Sequence, residues 1–327
     1  MATISGSGTF PIRMDQLDFY NLFAGTVTSA TSNYLKVEYD SHSYVEFFAS
    51  GVNYSSSGAP VSGVITGMRE VAFGQEMYAL SGASTSAPYF YSLALSGSTE
   101  TAKEAVLSGA DRVMGTNFAD YFQTYAGSDV LNGGGGRDTL IGGKGNDTYY
   151  VNTRGDSVIE EVRQGRDTVI ASATYSLGDN VEILKTSKAS ARTKINLTGN
   201  DLNNTITGNA GANKIDGGEG NDILKGGKGH DTFVFDLDNT GVDIIRDFSV
   251  RDDTIAIRDD LGDLFGSLNP ANFAIGAAAT TSPTVVYDPQ SGLIWFDRDG
   301  SQVWEDVQYL ARVKPGLALT AADFVFI

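Results

Sequence analysis

Aspartates recur every nine residues in the middle of this chain, each at the sixth position of a glycine-rich nonapeptide. The clearest copies read GGGGRDTLI (133–141), GGKGNDTYY (142–150), GGEGNDILK (217–225) and GGKGHDTFV (226–234). A carboxylate beside glycines that bring backbone carbonyl oxygens close is the all-oxygen ligand set that Ca²⁺ prefers. Because Ca²⁺ takes roughly six to eight oxygens, one turn cannot hold it alone, and an ion needs two neighbouring turns.

These four copies of G-G-x-G-x-D-x-U-x, where U is apolar, resemble the calcium-binding nonapeptide of the RTX (repeats-in-toxin, hemolysin-type) family. The resemblance implies that two nonapeptides make one coil of a parallel β-roll, so that turns eighteen residues apart stack with an ion between them. The expected fold class is therefore all-β: a right-handed parallel β-roll or β-solenoid with calcium-binding turns, an N-terminal β-rich region and a C-terminal β cap.

The eighteen-residue spacing pairs side chains at the sixth position across neighbouring coils. The expected pairs are Asp111 with Asp129, Asp120 with Asp138, Asp129 with Asp147, Asn204 with Asp222, and Asn213 with Asp231. We expect roughly five calcium ions in all. The tight sites are predicted at Asp138, Asp147, Asp222 and Asp231, and the asparagine pairs should be poor in ions, because an amide brings an oxygen but no charge.

The glycines at positions one, two and four are predicted to reach φ > 0 and to offer their carbonyls to the ion. In the two blocks these are Gly127, Gly133, Gly134, Gly136, Gly142, Gly143, Gly145, Gly217, Gly218, Gly220, Gly226, Gly227 and Gly229. Position eight should point into the coil. It is apolar in every repeat: Val113, Phe122, Leu131, Leu140, Tyr149, Val158, Ile206, Ile215, Leu224 and Phe233.

Charge and composition limit the function classes. The 327 residues carry a formal net charge of −17, which argues against a nucleic-acid partner. Stacked aspartates repel one another without a cation, so the repeats should be loose where calcium is scarce and fold in extracellular calcium. Cysteine is absent, which excludes disulfides and thiolate metal sites. No apolar run is long enough for a transmembrane helix.

Export follows from the resemblance. RTX proteins characteristically leave Gram-negative cells through a type I secretion apparatus that reads an uncleaved C-terminal signal. The N-terminal residues lack the pattern of a cleaved secretory signal peptide. The last residues, ALTAADFVFI, resemble the type I signal, although an ordinary C-terminal strand would look the same. The expected location is extracellular, with cell-surface association.

Five segments are expected along the chain. They are an N-terminal region of short strands (1–105), a first RTX block (106–158), calcium-free solenoid coils (159–198), a second RTX block (199–234), and a C-terminal cap with the secretion signal (235–327). A helix is expected over 98–108, and a hairpin over 285–297.

No catalytic signature stands out. The metalloprotease motif H-E-x-x-H and the lipase motif G-x-S-x-G are both missing from the sequence. We therefore expect a non-enzymatic, calcium-dependent structural protein of the bacterial cell surface or extracellular matrix, which self-associates when calcium binds. Two alternatives remain open: an adhesin or glycan-binding module that contacts a surface polysaccharide, and a polysaccharide-active enzyme with an RTX module.

Overall fold

A computed structural model describes residues 3–6, 14, 26–41, 43–57, 59–72, 75–95, 99–258, 272–277, 282–298 and 307–327. The chain divides into two compact units, Met1–Asp167 and Thr168–Ile327. Both units are nearly all β and both contain parallel solenoid strands, which confirms the predicted fold class. Of the helices that are described, none is long and apolar enough to span a membrane.

The first unit begins with an antiparallel sheet. Its strands are β1 (Thr3–Gly6), β2 (Thr26–Thr31), β3 (Tyr34–Asp40), β4 (Ser43–Tyr54), β5 (Pro60–Ala72) and β6 (Gln75–Ser86). The expectation of short strands is wrong here, since β5 runs for 13 residues. Glycines lie inside β4, β5 and β6 and do not end these three strands. They allow neighbouring strands to approach closely: a Cβ on Gly63 would lie 2.6 Å from Cα of Val52 on β4.

Two helices follow this sheet: α1 (Ala87–Leu95) and α2 (Thr99–Val106). Phe90 of α1 is buried against Phe47 of β4, with ring centroids 5.9 Å apart. The second helix lies within the span predicted from its capping pattern. Strand β1 connects the sheet to the solenoid, because it pairs antiparallel with β6 and parallel with the first solenoid strand.

Short strands then alternate between two parallel sheets. They are β7 (Arg112–Met114), β8 (Tyr121–Gln123), β9 (Val130–Asn132), β10 (Thr139–Ile141), β11 (Thr148–Val151) and β12 (Ser157–Ile159). Strands β7, β9 and β11 form one sheet, and β8, β10 and β12 form the other. Residues eighteen apart stand side by side: Leu131 pairs with Tyr149, and Phe122 with Leu140.

The second unit continues this architecture. Its solenoid strands are β13 (Thr168–Ala171), β14 (Tyr175–Ser176), β15 (Ile183–Thr186), β16 (Leu197–Thr198), β17 (Thr205–Thr207), β18 (Lys214–Asp216), β19 (Ile223–Lys225), β20 (Thr232–Asp236), β21 (Asp243–Ile245) and β22 (Thr254–Arg258). All ten apolar side chains at position eight of the repeats in both units are at most 4% exposed, so each coil has its own apolar centre.

The C-terminal strands are β23 (Phe273–Ile275), β24 (Thr284–Asp288), β25 (Leu293–Asp297), β26 (Val307–Arg312) and β27 (Phe324–Phe326). The hairpin expected over 285–297 is formed by β24 and β25. Trp295 packs there against Val286, whereas Trp304 lies outside the described residues. Strand β27, within the expected secretion signal, pairs in parallel with β22, and Phe324 is buried.

Candidate calcium site

A ladder of hydrogen bonds joins the sixth-position residues of neighbouring coils. The backbone N–H of each residue donates to Oδ1 of the aspartate one coil later. The bond is 2.9 Å from Asp120 to Asp138 and 2.7 Å from Asp129 to Asp147. The same bond joins Asp111 to Asp129, Asn204 to Asp222 and Asn213 to Asp231. The structure therefore brings together all five pairs expected from the eighteen-residue spacing.

The first-position glycine makes room for the second carboxylate oxygen. A Cβ on Gly133 would lie 2.1 Å from Oδ2 of Asp138, and a Cβ on Gly142 would lie 2.2 Å from Oδ2 of Asp147. Gly217 and Gly226 stand in the same relation to Asp222 and Asp231, at 2.0 and 2.4 Å. Any larger residue at position one would occupy the space in front of the carboxylate.

Glycines at positions two and four have a different role. Gly134 (φ 83°) and Gly136 (φ 110°) adopt the left-handed region that favours glycine. A Cβ on Gly134 would also lie 2.0 Å from the carbonyl oxygen of Thr116 in the stacked turn. The prediction that all three glycines need φ > 0 is wrong for position one, since Gly133 and Gly142 are not among the positive-φ residues. Glycine is needed at position one because a side chain would overlap the carboxylate, and not because the backbone requires positive φ.

The ladder carboxylates are buried and incompletely satisfied. Asp129, Asp138, Asp147, Asp222 and Asp231 are each at most 1% exposed, and their Oδ2 atoms accept no hydrogen bond. Burial, which is the largest cause, and repulsion from neighbouring aspartates raise the pKa of Asp138 and of Asp147 to about 7. For Asp222 burial, followed by the charge of Asp243, raises the pKa to about 8. A buried ionised carboxylate needs a compensating positive charge.

Calcium fits these turns. Each offers a buried carboxylate oxygen without a hydrogen-bond partner, and oxygen is the ligand that Ca²⁺ takes. A bound ion would supply the positive charge that lets these aspartates stay ionised inside the coil. The holding residues would be Asp129, Asp138, Asp147, Asp222 and Asp231, with the carbonyls of the stacked turns.

The asparagine positions have protein partners in place of a cation. Nδ2 of Asn204 donates to the carbonyl of Val181 at 3.0 Å, and Nδ2 of Asn213 donates to the carbonyl of Ile195 at 2.7 Å. The amide side chains at these positions bond to protein carbonyls and carry no charge that a cation would have to balance. This provides a physical reason for the ion-poor turns predicted there.

The ladder extends beyond the residues chosen from the sequence. Asp156, Asp167, Asp243 and Asp253 each accept the same backbone N–H, from Asp138, Asp147, Asp222 and Asp231 respectively. Asp156 keeps the nine-residue count, but the other three follow insertions: their partners stand 20, 21 and 22 residues earlier. An aspartate directly before a strand, or at its first residue as with Asp243, was the available signal, and strict counting by nine did not include it.

One further acid lies beside the ladder. Glu160 is 6% exposed, and its carboxylate accepts the hydroxyl hydrogen of Tyr149. Asp147, Glu160 and Asp167 each offer an oxygen, and these three oxygens lie within 4.8 Å of one another. Burial raises the pKa of Glu160 to about 8. Glu160 was not among the residues predicted to bind calcium.

A parallel β-solenoid with stacked carboxylate turns defines a repeat-built, calcium-binding β-roll. The family model of the RTX calcium-binding nonapeptide repeat matches residues 107–140, 114–149 and 198–233, with four copies. The chain thus carries RTX repeats, which bind calcium, and the predicted resemblance is confirmed.

Comparison with curated proteins finds no match. Among solved structures, the chain is similar to the extracellular lipase LipA from Serratia marcescens, with 16% identity and a TM-score of 0.25. The match covers 67% of this chain and 38% of that one, so this chain spans well under half of the lipase. A likeness this slight carries no argument about activity.

Proposed function

We propose that this protein is a secreted, calcium-dependent structural protein of the bacterial cell surface or extracellular matrix, whose solenoid folds when calcium binds. The observation that carries the proposal is the row of buried aspartates whose Oδ2 atoms accept no hydrogen bond: Asp129, Asp138, Asp147, Asp222 and Asp231. Roughly five ions, one for each of these oxygens, would neutralise the row.

Calcium supply would then decide where the chain folds. In a compartment poor in calcium, a chain with a net charge of −17 repels itself and stays expanded, a state suited to passage through a type I secretion apparatus. Outside the cell, ions at about 10⁻⁴ to 10⁻³ M match the affinity of typical extracellular calcium modules. Binding free energy then becomes folding free energy.

Chelation tests this coupling directly. Far-UV circular dichroism and thermal melting of the full chain should show a large loss of β-structure in excess EDTA and full recovery when calcium is restored. Magnesium at the same concentration serves as the control, because its smaller shell demands stricter octahedral geometry. If neither the circular dichroism spectrum nor the melting temperature changes on addition of EDTA or calcium, the proposal is refuted.

We infer a structural rather than a catalytic role, with calcium-dependent self-association. Support comes from exposed apolar side chains in the solenoid part of the first unit: Tyr150 is 40% exposed, Ile159 44% and Val162 73%. Exposed apolar side chains favour association where they form one contiguous patch. Light scattering across millimolar calcium should report growth beyond the monomer, and the triple change of these residues to serine should reduce it. Monomer at every calcium concentration would remove the assembly part of the proposal.

A glycan-binding role is the second candidate, supported by a polar and aromatic cluster on β3 to β5. Nε of Arg69 donates to Glu46 at 2.7 Å, the Tyr34 hydroxyl donates to the same carboxylate, and the Lys36 ammonium lies 3.9 Å from the Tyr44 ring centroid. Aromatic rings with fixed charges suit a polysaccharide surface. A glycan array with the full chain and a Tyr44→Ala variant distinguishes this role: binding that the variant loses would favour it.

A further inference from the structure

Glu160 occupies the place in the repeat that a glycine holds in the regular turns. Counting by nine, the first position falls on Gly133, Gly142, Val151 and then Glu160. A Cβ at the first position of a regular turn points at the carboxylate, as the 2.2 Å approach of a Cβ on Gly142 to Asp147 indicates. A side chain at this position is therefore directed toward the ion site, and here that side chain is itself an acid.

The geometry gathers three carboxylates at the end of the first repeat block. Asp147 and Asp167 are each 1% exposed and Glu160 is 6% exposed. One carboxylate oxygen from each residue lies within 4.8 Å of the corresponding oxygens of the other two. Asp167 Oδ1 accepts the N–H of Asp147 at 2.7 Å, which fixes the two aspartates relative to each other. The Oδ2 atom of Asp147 is buried and accepts no hydrogen bond.

Tyr149 positions the added acid. Its hydroxyl accepts the N–H of Gly142 at 2.7 Å and donates to Glu160. The ring is fully buried at position eight of its coil, so the hydroxyl cannot swing away. The carboxylate of Glu160 is thus held beside Asp147, which would be costly for two ionised groups unless a cation lay between them.

We propose that Asp147, Glu160 and Asp167 form a three-carboxylate calcium site that closes the first repeat block, with Tyr149 as its positioning residue. The inference rests on the proposed calcium-dependent function, and adds to it a ligand that the nonapeptide motif does not contain. With three acids in place of the regular two, this site should bind Ca²⁺ more tightly than the turns inside the block and fill first.

Glu160→Gln tests the site, since it keeps the size of the side chain and its contact with Tyr149 but removes the charge. Glu161→Gln is the matched control, because Glu161 is the next residue and is exposed. Calcium binding by the full-length proteins is followed by isothermal titration calorimetry, and bound ions are counted by native mass spectrometry. We expect Glu160→Gln to lose the tightest class of site, at least tenfold in affinity or one ion in number, and Glu161→Gln to match the wild type.

The alternative is a protonated Glu160 that accepts hydrogen bonds from the Tyr149 hydroxyl and the Gly143 N–H, with no ion beside it. In that case Glu160→Gln binds as many ions as the wild type with the same affinities, and the proposed site is overturned. If Glu160→Gln does not fold in saturating calcium, Tyr149→Phe replaces it: the three acids and the buried ring remain, and the tightest affinity should still fall several-fold. Unchanged affinity in Tyr149→Phe would then overturn the proposal. If the wild-type protein binds no calcium, the proposed function is refuted together with this site. If the wild type binds calcium but the variants bind it equally well, only this site is refuted.

Discussion

Gly133→Ala should disable one calcium turn without straining its backbone. Gly133 does not adopt positive φ, so alanine fits the local torsions. Its Cβ would nevertheless lie 2.1 Å from Oδ2, 2.5 Å from Cγ and 2.6 Å from Cβ of Asp138, where about 3.5 Å is the usual contact distance. The carboxylate must move, and its Oδ1 would leave the N–H of Asp120 that it now accepts at 2.9 Å.

The magnitude follows from two terms. Forcing a methyl group into a packed turn destabilises by about 1–3 kcal/mol. Losing a hydrogen bond to a charged group adds about 1.5–3 kcal/mol. Because the moved carboxylate relieves part of the overlap, the two terms do not add fully. We expect the calcium-loaded protein to lose about 3 kcal/mol of unfolding free energy, which corresponds to roughly a 100-fold weaker site at Asp138.

Urea unfolding in saturating calcium measures the free energy, and calorimetric titration measures the affinity. Gly109→Ala is the control, since no atom lies within 4 Å of a Cβ there and the change should stay within about 0.5 kcal/mol. If Gly133→Ala unfolds and binds calcium as Gly109→Ala does, the first-position glycine does not hold space for the carboxylate.

Three more results are expected. In the calcium-free protein, burial raises the pKa of Asp138 and Asp147 from 3.8 to about 7, so the folded state holds more protons than the unfolded state between these values. The β-structure retained in EDTA should therefore increase as pH falls from about 8 to about 4 and be lost as pH rises through 7, which far-UV circular dichroism in EDTA would test; a signal independent of pH would contradict this. Asn213→Asp removes the 2.7 Å bond to the Ile195 carbonyl and should destabilise the folded protein by about 1–3 kcal/mol at low calcium, with partial recovery as calcium rises; equal urea midpoints at low calcium would speak against it. Leu140→Ala empties a fully buried position and should lower the unfolding free energy in saturating calcium by about 2–5 kcal/mol, measured in urea; no change would mean that position eight is not the centre of the coil.

The regular repeats could be predicted because one period fixes two independent features. A nine-residue count put an acid in the turn and an apolar residue in the strand, which predicted the burial of Leu140. The stacking of Asp120 on Asp138 followed from that count together with the two-nonapeptide coil that the RTX resemblance implies. Sequence does not say why a glycine is needed, since positive φ and lack of space both select it. Positive φ was therefore the wrong explanation for the glycine at Gly133 and the correct explanation for the glycine at Gly134.

Other parts of the fold have weaker sequence patterns and were harder to predict. The long strands of the N-terminal sheet contain glycine and serine, which usually indicate turns, but pairing on both edges of β5 outweighs these local preferences. Glu160 was recognisable only by continuing the count past the last glycine-rich turn. A role for Glu160 could be assigned only once the position of Tyr149 was known. Tyr149 lies eleven residues earlier in the chain, and the fold brings its hydroxyl into contact with the Glu160 carboxylate.

What this solenoid keeps constant is the contact of each carboxylate and not the length of each coil. The N–H to Oδ1 bond is made at a spacing of 18 residues within the blocks and at 20, 21 and 22 after Asp147, Asp222 and Asp231. The extra residues lie in turns that precede the accepting aspartate, such as 161–166, so the strand after it stays in register. A backbone N–H buried in a turn needs an acceptor wherever insertions fall, and an aspartate before the strand supplies one. The family model stops at residues 149 and 233, whereas the ladder continues to Asp167 and Asp253, so a motif with fixed spacing undercounts the acids that face the ions.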